Sequence, residues 1–169
     1  ELIDSNPYYW DDHRIMLFYY KIASLYFGSG DFGQAIHYLN LIINPKNPDY
    51  RGDIQAFSRI LNLISHFELG NELLVEYQIK SVYRFLSKME DLQAVQKEIF
   101  KFLRKVPNIR EEDLPREFRS LRRKLLPYLD DPFEKRPFLY LDILSWLESK
   151  IEGRTIQEIV RSKFLKEKR

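Results

Sequence analysis

Apolar residues recur every three or four positions along most of this chain, which is the spacing of one helix face rather than of a strand. The first such stretch runs from about Asp12 to Gly28, where glycine favours termination of the helix. A second stretch begins at Asp31, because an aspartate followed three residues later by Gln34 is a common helix start, and it continues to Asn44. The very short connection predicts that these two helices are antiparallel neighbours.

The same spacing predicts six further helices, separated by prolines and glycines. Their predicted bounds are Pro48–Asp53 to Gly70, Leu73 to about Leu86, Leu92 to Lys105, Leu114 to Leu126, Pro137 to Gly153, and a last helix that Thr155 and Glu158 open as a capping box. No segment shows the alternating pattern of a strand pair. We therefore expect an all-α fold.

The first predicted helical pair carries a recognisable set of residues. Large, aliphatic, small and aromatic residues precede a Gly-Asp-aromatic turn and further small and aliphatic residues: Tyr19, Ile22, Ala23, Tyr26, Gly30, Asp31, Phe32, Ala35, Ile36 and Leu39. This set resembles one tetratricopeptide unit, spanning about residues 16–45. In such a unit Ala23 and Ala35 let the two helices approach closely, while Tyr19 and Tyr26 fill the groove between neighbouring hairpins.

A second, degenerate unit spans about residues 57–88, with Gly70-Asn71 at its turn and Ile64 where the first unit has Ala23. The resemblance implies antiparallel helical hairpins stacked as a tetratricopeptide-like α-solenoid over residues 11–90. Residues 91–169 would form a C-terminal helical extension that covers the end of the stack. We expect residues 1–169 to be a single domain and, because residue 1 is Glu, a fragment of a longer chain.

The resemblance also implies a function. Tetratricopeptide arrays present the first helix of each hairpin to a peptide-binding groove, whose residues here would be Leu17, Tyr20, Ser24, Phe27, Ser58, Leu61 and Ser65. The Lys and Asn that clamp a peptide carboxylate in some members are not matched, because Tyr20 and Ser24 occupy those positions. We expect a non-catalytic scaffold or adaptor that recognises a protein or peptide partner. Alternatively, Tyr20 and Phe27 pack against a neighbouring helix, for instance one formed by residues 6–10.

Composition narrows the class of protein further. Of the 169 residues, 44% are hydrophobic and 31% are charged, as in soluble globular domains. The most apolar stretch, residues 15–28, contains Lys21 and is shorter than the roughly 20 residues of a spanning helix, so we expect no membrane segment. The chain has no cysteine, which excludes disulfides, thiol catalysis and thiolate metal sites and is compatible with the cytoplasmic location that we expect.

Candidate chemistry is sparse. The three histidines, His13, His37 and His66, lie in separate predicted helices, and none has a second histidine at helical spacing. No glycine-rich phosphate loop, nucleophile motif or metal signature is present in the sequence. We therefore expect no metal, no cofactor and no catalytic residues.

Charge is distributed unevenly along the chain. Residues 1–96 carry a net charge of −4, whereas residues 97–169 carry +6. The basic half contains a cluster that leaves open a nucleic-acid-binding alternative: Arg116, Arg119, Arg122, Arg123 and Lys124. Acidic residues interleave with this cluster, which is typical of a solvated helix face, so we expect a protein partner rather than nucleic acid. A further alternative is a structural homodimer formed through the exposed end of the stack.

Overall fold

The computed structural model describes residues 11–44, 52–89 and 92–167. Within these ranges it contains nine α-helices and no strand: α1 (Asp12–Ser29), α2 (Phe32–Ile43), α3 (Gly52–Glu68), α4 (Glu72–Leu86), α5 (Ala94–Lys105), α6 (Leu114–Leu125), α7 (Arg136–Tyr140), α8 (Ile143–Glu152) and α9 (Ile156–Glu167). Three 3₁₀ turns cover Val106–Asn108, Glu111–Asp113 and Leu126–Leu129. The all-α fold class is therefore confirmed. The start of the third helix was predicted between Pro48 and Asp53, and α3 is described from Gly52 onward; residues 48–51 and the segment 6–10 lie outside the described residues.

Several helix ends form at the signals that the sequence predicted. The Asp31 carboxylate accepts a hydrogen bond from Gln34 N at 3.1 Å and begins α2. The first helix ends at Gly30 and not at the predicted Gly28; Gly30 has a φ of 83°, a left-handed conformation that glycine adopts without steric penalty. At the start of α9, Thr155 N donates to Glu158 Oε2 at 2.8 Å and Glu158 N donates to Thr155 Oγ1 at 3.2 Å. These contacts satisfy amides that the first helical turns leave unpaired.

The single helix predicted from Pro137 to Gly153 is wrong, because the segment forms two helices, α7 and α8. Leu141 lies between them with extended backbone angles and a buried side chain. Asp142 then begins α8, since its carboxylate accepts a hydrogen bond from Ser145 N at 3.1 Å. An extended residue followed by a strong N-cap thus ends one helix and starts the next.

Two alanines allow the close packing of α1 against α2. Ala23 and Ala35 are both fully buried, and α1 contacts α2. Tyr26 stacks on Tyr38 of α2 with ring centroids 5.7 Å apart, and the ring centroid of Tyr19 lies 6.1 Å from that of Tyr38. Tyr19 and Tyr26 therefore pack within their own hairpin, whereas the sequence predicted them between neighbouring hairpins.

Helix α3 lies at the centre of the described structure. It contacts α1, α2, α4 and α5, and most of its side chains are buried. A helix that is covered on all sides belongs to the core. Ile64 is fully buried although the first hairpin has alanine at the equivalent position, so the second hairpin accommodates the larger side chain.

The C-terminal helices return to the start of the chain. Helix α5 contacts α6, α6 contacts α8, and α8 contacts α9, which in turn packs against α1. At that junction Gln157 Nε2 donates a hydrogen bond to Ser29 O at 3.2 Å. The last helix of the segment predicted as a C-terminal extension therefore packs against the first helix of the described structure.

Replacing Ala23 by Leu should lower the free energy of unfolding by about 1 to 3 kcal/mol, because added methylene groups force apart two helices in a filled core. The control Leu25→Ala, at an exposed position on the same helix, should change that free energy by less than about 0.5 kcal/mol. Urea denaturation followed by circular dichroism gives both values. An Ala23→Leu variant as stable as the parent would contradict close packing of α1 on α2.

Candidate interaction surfaces

The structure places most of the residues predicted to line a partner groove inside the protein. Five of the seven are buried: Tyr20, Phe27, Ser58, Leu61 and Ser65. The other two, Leu17 and Ser24, are half-buried. The prediction of an accessible groove at these positions is therefore corrected, because the chain's own helices cover them.

Helix α7 covers part of α1 and α3. The ring of Tyr140 stacks on Phe57 with centroids 5.2 Å apart and lies edge-to-face on Tyr20 at 6.3 Å. The Tyr20 hydroxyl donates a hydrogen bond to the backbone oxygen of Tyr140 at 3.0 Å. Burial raises the pKa of Tyr20, so this hydroxyl stays protonated and remains a donor. Tyr20 therefore packs against a neighbouring helix, the alternative that the sequence left open, and the helix that supplies the contact is α7.

Helix α8 joins the first helices to the C-terminal half through one large side chain. Trp146 is fully buried. The rings of Phe67, Phe102 and Phe118 surround it at centroid distances of 6.3, 6.4 and 5.5 Å. Its indole Nε1 donates a hydrogen bond to Glu68 Oε1 at 2.7 Å. We call these five residues the Trp146 cluster, which connects α3, α5, α6 and α8 in one core.

Glu68 has a second partner on α8. Lys150 Nζ donates to Glu68 Oε2 at 2.6 Å, and the Glu68 side chain is only 9% exposed. Each carboxylate oxygen thus has one donor, and the two donors are four residues apart on the same face of α8. Burying a carboxylate is costly unless donors satisfy it, so this pairing is what lets Glu68 lie beside the aromatic rings.

Four of the five residues in the predicted basic cluster lie together in one groove. The groove has a volume of about 590 Å³ and runs between α6 and α8; its lining consists of Arg116, Arg119, Arg122, Arg123, Glu148, Ile151 and Glu152. We call it the α6–α8 groove. Lys124 is not part of it, because Lys124 Nζ lies 3.5 Å from Glu98 of α5 on another side of α6.

The charges in the α6–α8 groove are partly paired. Arg122 donates from Nε and Nη2 to Glu148 Oε1 at 3.1 and 2.9 Å, and Lys163 Nζ lies 2.8 Å from Glu148 Oε2. Burial raises the pKa of Glu148, but the hydrogen bonds and charges of Lys163 and Arg122 outweigh burial and hold it below its ordinary value. Arg119 and Arg123 are exposed, and no side-chain hydrogen bond or ion pair joins either guanidinium to another described residue.

An exposed apolar surface on α4 was missed by the sequence analysis. Its members, which we call the α4 apolar face, are Leu73, Leu74 and Tyr77 of α4 together with Leu69 of the preceding turn. The exposed fraction is 85% for Leu73 and 76% for Tyr77. These two residues are four apart and out of phase with Val75 and Val82, which are buried on the other side of α4. That phase difference is the sequence signal that would have revealed the face.

The described ranges contain no cluster of metal-ligand side chains. Within them, no group of three or more His, Asp or Glu side chains is arranged to hold a metal ion. Burial lowers the pKa of His66, and its Nδ1 lies 3.2 Å from Asn71 Nδ2. The Ser58 hydroxyl is buried with no hydrogen-bond partner in this part of the chain, and nothing in the structure explains it.

None of the helices in the described ranges is both long and apolar enough to cross a membrane.

Removing the Tyr20 side chain should destabilise the protein rather than a binding surface. Tyr20→Ala should lower the free energy of unfolding by about 3 to 5 kcal/mol, because a buried ring is lost. Tyr20→Phe removes the hydrogen bond to Tyr140 alone and should cost about 1 kcal/mol. The control Tyr77→Ala removes an exposed ring and should cost less than about 0.5 kcal/mol. If the Tyr20→Ala variant is as stable as the parent in urea denaturation, the burial of Tyr20 is contradicted and the prediction of an accessible groove is supported.

The Glu148 pair predicts a pH-dependent contribution to stability. Because the folded-state pKa of Glu148 is lowered, its contribution is present above the unfolded-state pKa and is lost as the pH falls through the folded-state pKa. Glu148→Gln should therefore lower the free energy of unfolding near neutral pH and have little effect at about pH 3. The control Glu111→Gln removes an exposed charge. An effect of Glu148→Gln that is equal at the two pH values in urea denaturation would contradict this pairing.

Comparison with protein-family models gives no match for this chain, and comparisons with curated proteins and with solved structures give none either. The tetratricopeptide resemblance therefore depends on the residues of the first two hairpins alone. What the surfaces bind has to follow from their own shape, burial and charge.

Proposed function

We propose that this chain is a non-catalytic protein-recognition module, a scaffold or adaptor that binds an amphipathic helix of a partner protein on the α4 apolar face. The observation that carries the proposal is the exposure of Leu73 and Tyr77, which are four residues apart on one side of α4, with the exposed Leu74 three residues before Tyr77. Single exposed apolar residues are ordinary on protein surfaces. A contiguous group of them is typical of an interaction site.

We further propose that α1–α2 and α3–α4 are tetratricopeptide-like hairpins stacked in order. The contacts of α1 with α3, of α2 with α3 and of α3 with α5 support this arrangement, because consecutive stacked hairpins touch in that way. The buried Ala23 and Ala35 support it as well. Since Tyr20, which would line the peptide groove of such an array, packs against Tyr140 of α7, recognition is assigned to an outer helix.

The charges beside the α4 apolar face favour one orientation of the partner helix. Glu72 and Glu76 lie in the first half of α4, whereas Lys80 and Arg84 lie in the second half, and all four side chains are exposed. A partner helix with acidic residues in its first half and basic residues in its second half places opposite charges across the interface when it runs antiparallel. A parallel orientation of that helix places like charges together.

The α4 apolar face is presented by a helix that is anchored on its other side. Val75, Val82 and Leu86 of α4 are buried. The Arg59 guanidinium of α3 lies 3.9 Å from the ring centroid of Phe85, a further contact between the two helices. Because α4 is already folded and anchored, most of the conformational entropy lost on binding belongs to the partner segment.

The double variant Leu73→Ser with Tyr77→Ser should weaken partner binding at least about tenfold, because central aromatic and aliphatic side chains carry most of an interface's binding energy. The matched control is Leu25→Ser, which removes a leucine that is 75% exposed on α1 and should leave the affinity unchanged. A photo-crosslinking amino acid is placed at position 77, or at position 25 as a control, and crosslinking is done inside the cells that produce the protein. A protein that crosslinks from position 77 and not from position 25 is the partner. Isothermal titration with the purified partner then gives the affinities.

Crosslinks to one protein from position 77, with an affinity that falls in the double variant alone, support the proposal. Crosslinks that join only two copies of this chain, with a light-scattering mass that drops in the double variant, would establish the homodimer instead. Identical crosslinks from positions 25 and 77, or equal affinities of the two variants, would contradict recognition through α4.

A further inference from the structure

We infer that the α6–α8 groove binds an acidic helical segment of a protein, at a site separate from the α4 apolar face. The spacing of the cations, the absence of internal partners for two of them, and the composition of the groove wall carry this inference. It does not depend on the role proposed for α4, so either assignment can fail while the other holds.

The arginines repeat at helical spacing along the groove. Arg116, Arg119 and Arg123 follow one another at steps of three and four residues on α6, and all three are exposed. Such residues lie on one helix face and extend over about 10 Å. An antiparallel partner helix with carboxylates at steps of four and then three residues presents its charges at the same spacing. The groove therefore matches about two turns of an acidic helix.

Internal pairing leaves two of the four arginines available, because Arg116 Nη2 lies 3.7 Å from Asp113 Oδ1 and 3.8 Å from Glu117 Oε1. Arg122 is engaged by Glu148, which Lys163 also contacts, so this pair is satisfied within the protein. Arg119 and Arg123 have no such partner among the described residues. A guanidinium binds a carboxylate through two parallel hydrogen bonds, a stronger and more directional contact than that of a lysine. Two carboxylates four residues apart would engage both arginines together.

The groove wall favours a protein segment over nucleic acid. Glu148 and Glu152 line the same groove, but Arg122 and Lys163 pair with Glu148 and Arg154 pairs with Glu152, so these charges do not distinguish a carboxylate partner from a phosphate backbone. No aromatic residue is among the described residues that line the groove, and the nearest ring on α6, that of Phe118, is buried in the Trp146 cluster. Base stacking therefore has no platform. Ile151 offers instead a partly exposed apolar contact for an aliphatic side chain.

Fluorescence anisotropy with a labelled synthetic helix tests the inference. The peptide has about 18 residues, enough to form a helix, with glutamates at steps of four and three residues and leucines beside them. We expect it to bind the parent and to bind the double variant Arg119→Gln with Arg123→Gln at least about fivefold more weakly. The same peptide with glutamine in place of glutamate should not bind. Rising salt should weaken the interaction.

The matched control removes two positive charges elsewhere. Lys97→Gln with Lys105→Gln, at exposed positions on α5, should keep the affinity within about twofold of the parent. Circular dichroism verifies that both double variants are folded, as expected for exposed side chains. Failure of the glutamate peptide to bind the parent, or equal losses in the two double variants, would overturn the inference. Tighter binding of a single-stranded RNA, lost in the arginine variant, would overturn it in favour of nucleic acid.

Discussion

The buried indole of Trp146 is the contact on which the rest of the structure depends. Its Nε1 donates to Glu68, a residue 78 positions earlier in the chain, and three phenylalanine rings surround it. A side chain of this size contributes a large share of the apolar burial, but its N–H needs an acceptor inside the core. Glu68 supplies that acceptor at the end of α3, and Lys150 balances its charge. Helix α8 is therefore part of the core and not a layer added to finished hairpins.

The packing of α7 and α8 against the first helices determines which surfaces remain accessible to other molecules. Tyr20 and Phe57 contact α7, and the end of α3 contacts α8, so the inner side of the first helices is occupied. Two exposed features differ in chemistry: the α4 apolar face has leucines and a tyrosine between opposite charges, and the α6–α8 groove has two arginines without an internal partner. Two different surfaces on one continuous core would let a scaffold hold two partners without competition.

The sequence predicts local structure well because local structure has local causes. Asp31 with Gln34 and Thr155 with Glu158 form their caps within four residues, and Ala23 and Ala35 are buried by the helix pair that contains them. The break at Leu141 and Asp142 was missed because apolar residues continue at helical spacing across it. That spacing alone does not reveal that Asp142 is the N-cap of a new helix. Tyr20 was assigned to a surface because its burial depends on a helix more than 100 residues later, as its hydrogen bond to Tyr140, 120 residues away, shows.

The α6–α8 groove was predictable in part, because the positions of residues on one helix face follow from their spacing in the sequence. Helical spacing places Arg116, Arg119 and Arg123 on one face of α6. The partners Glu148 and Lys163 come from other helices, and no pattern within α6 indicates them. Lys124 was grouped with the arginines because it is adjacent to them in the sequence. Each successive residue of a helix is rotated by about 100°, however, so Lys124 lies on a different face from Arg123, where it contacts Glu98.

Hydrogen exchange of backbone amides tests most directly whether α8 belongs to the core. If the Trp146 cluster holds α8 in place, the most protected amides of α8 and α3 exchange through the same global opening and show the same dependence on denaturant. Amides of α8 that exchange orders of magnitude faster, while those of α3 stay protected, would mean that α8 detaches from a folded set of hairpins and that the inner groove can open. That result would contradict the account.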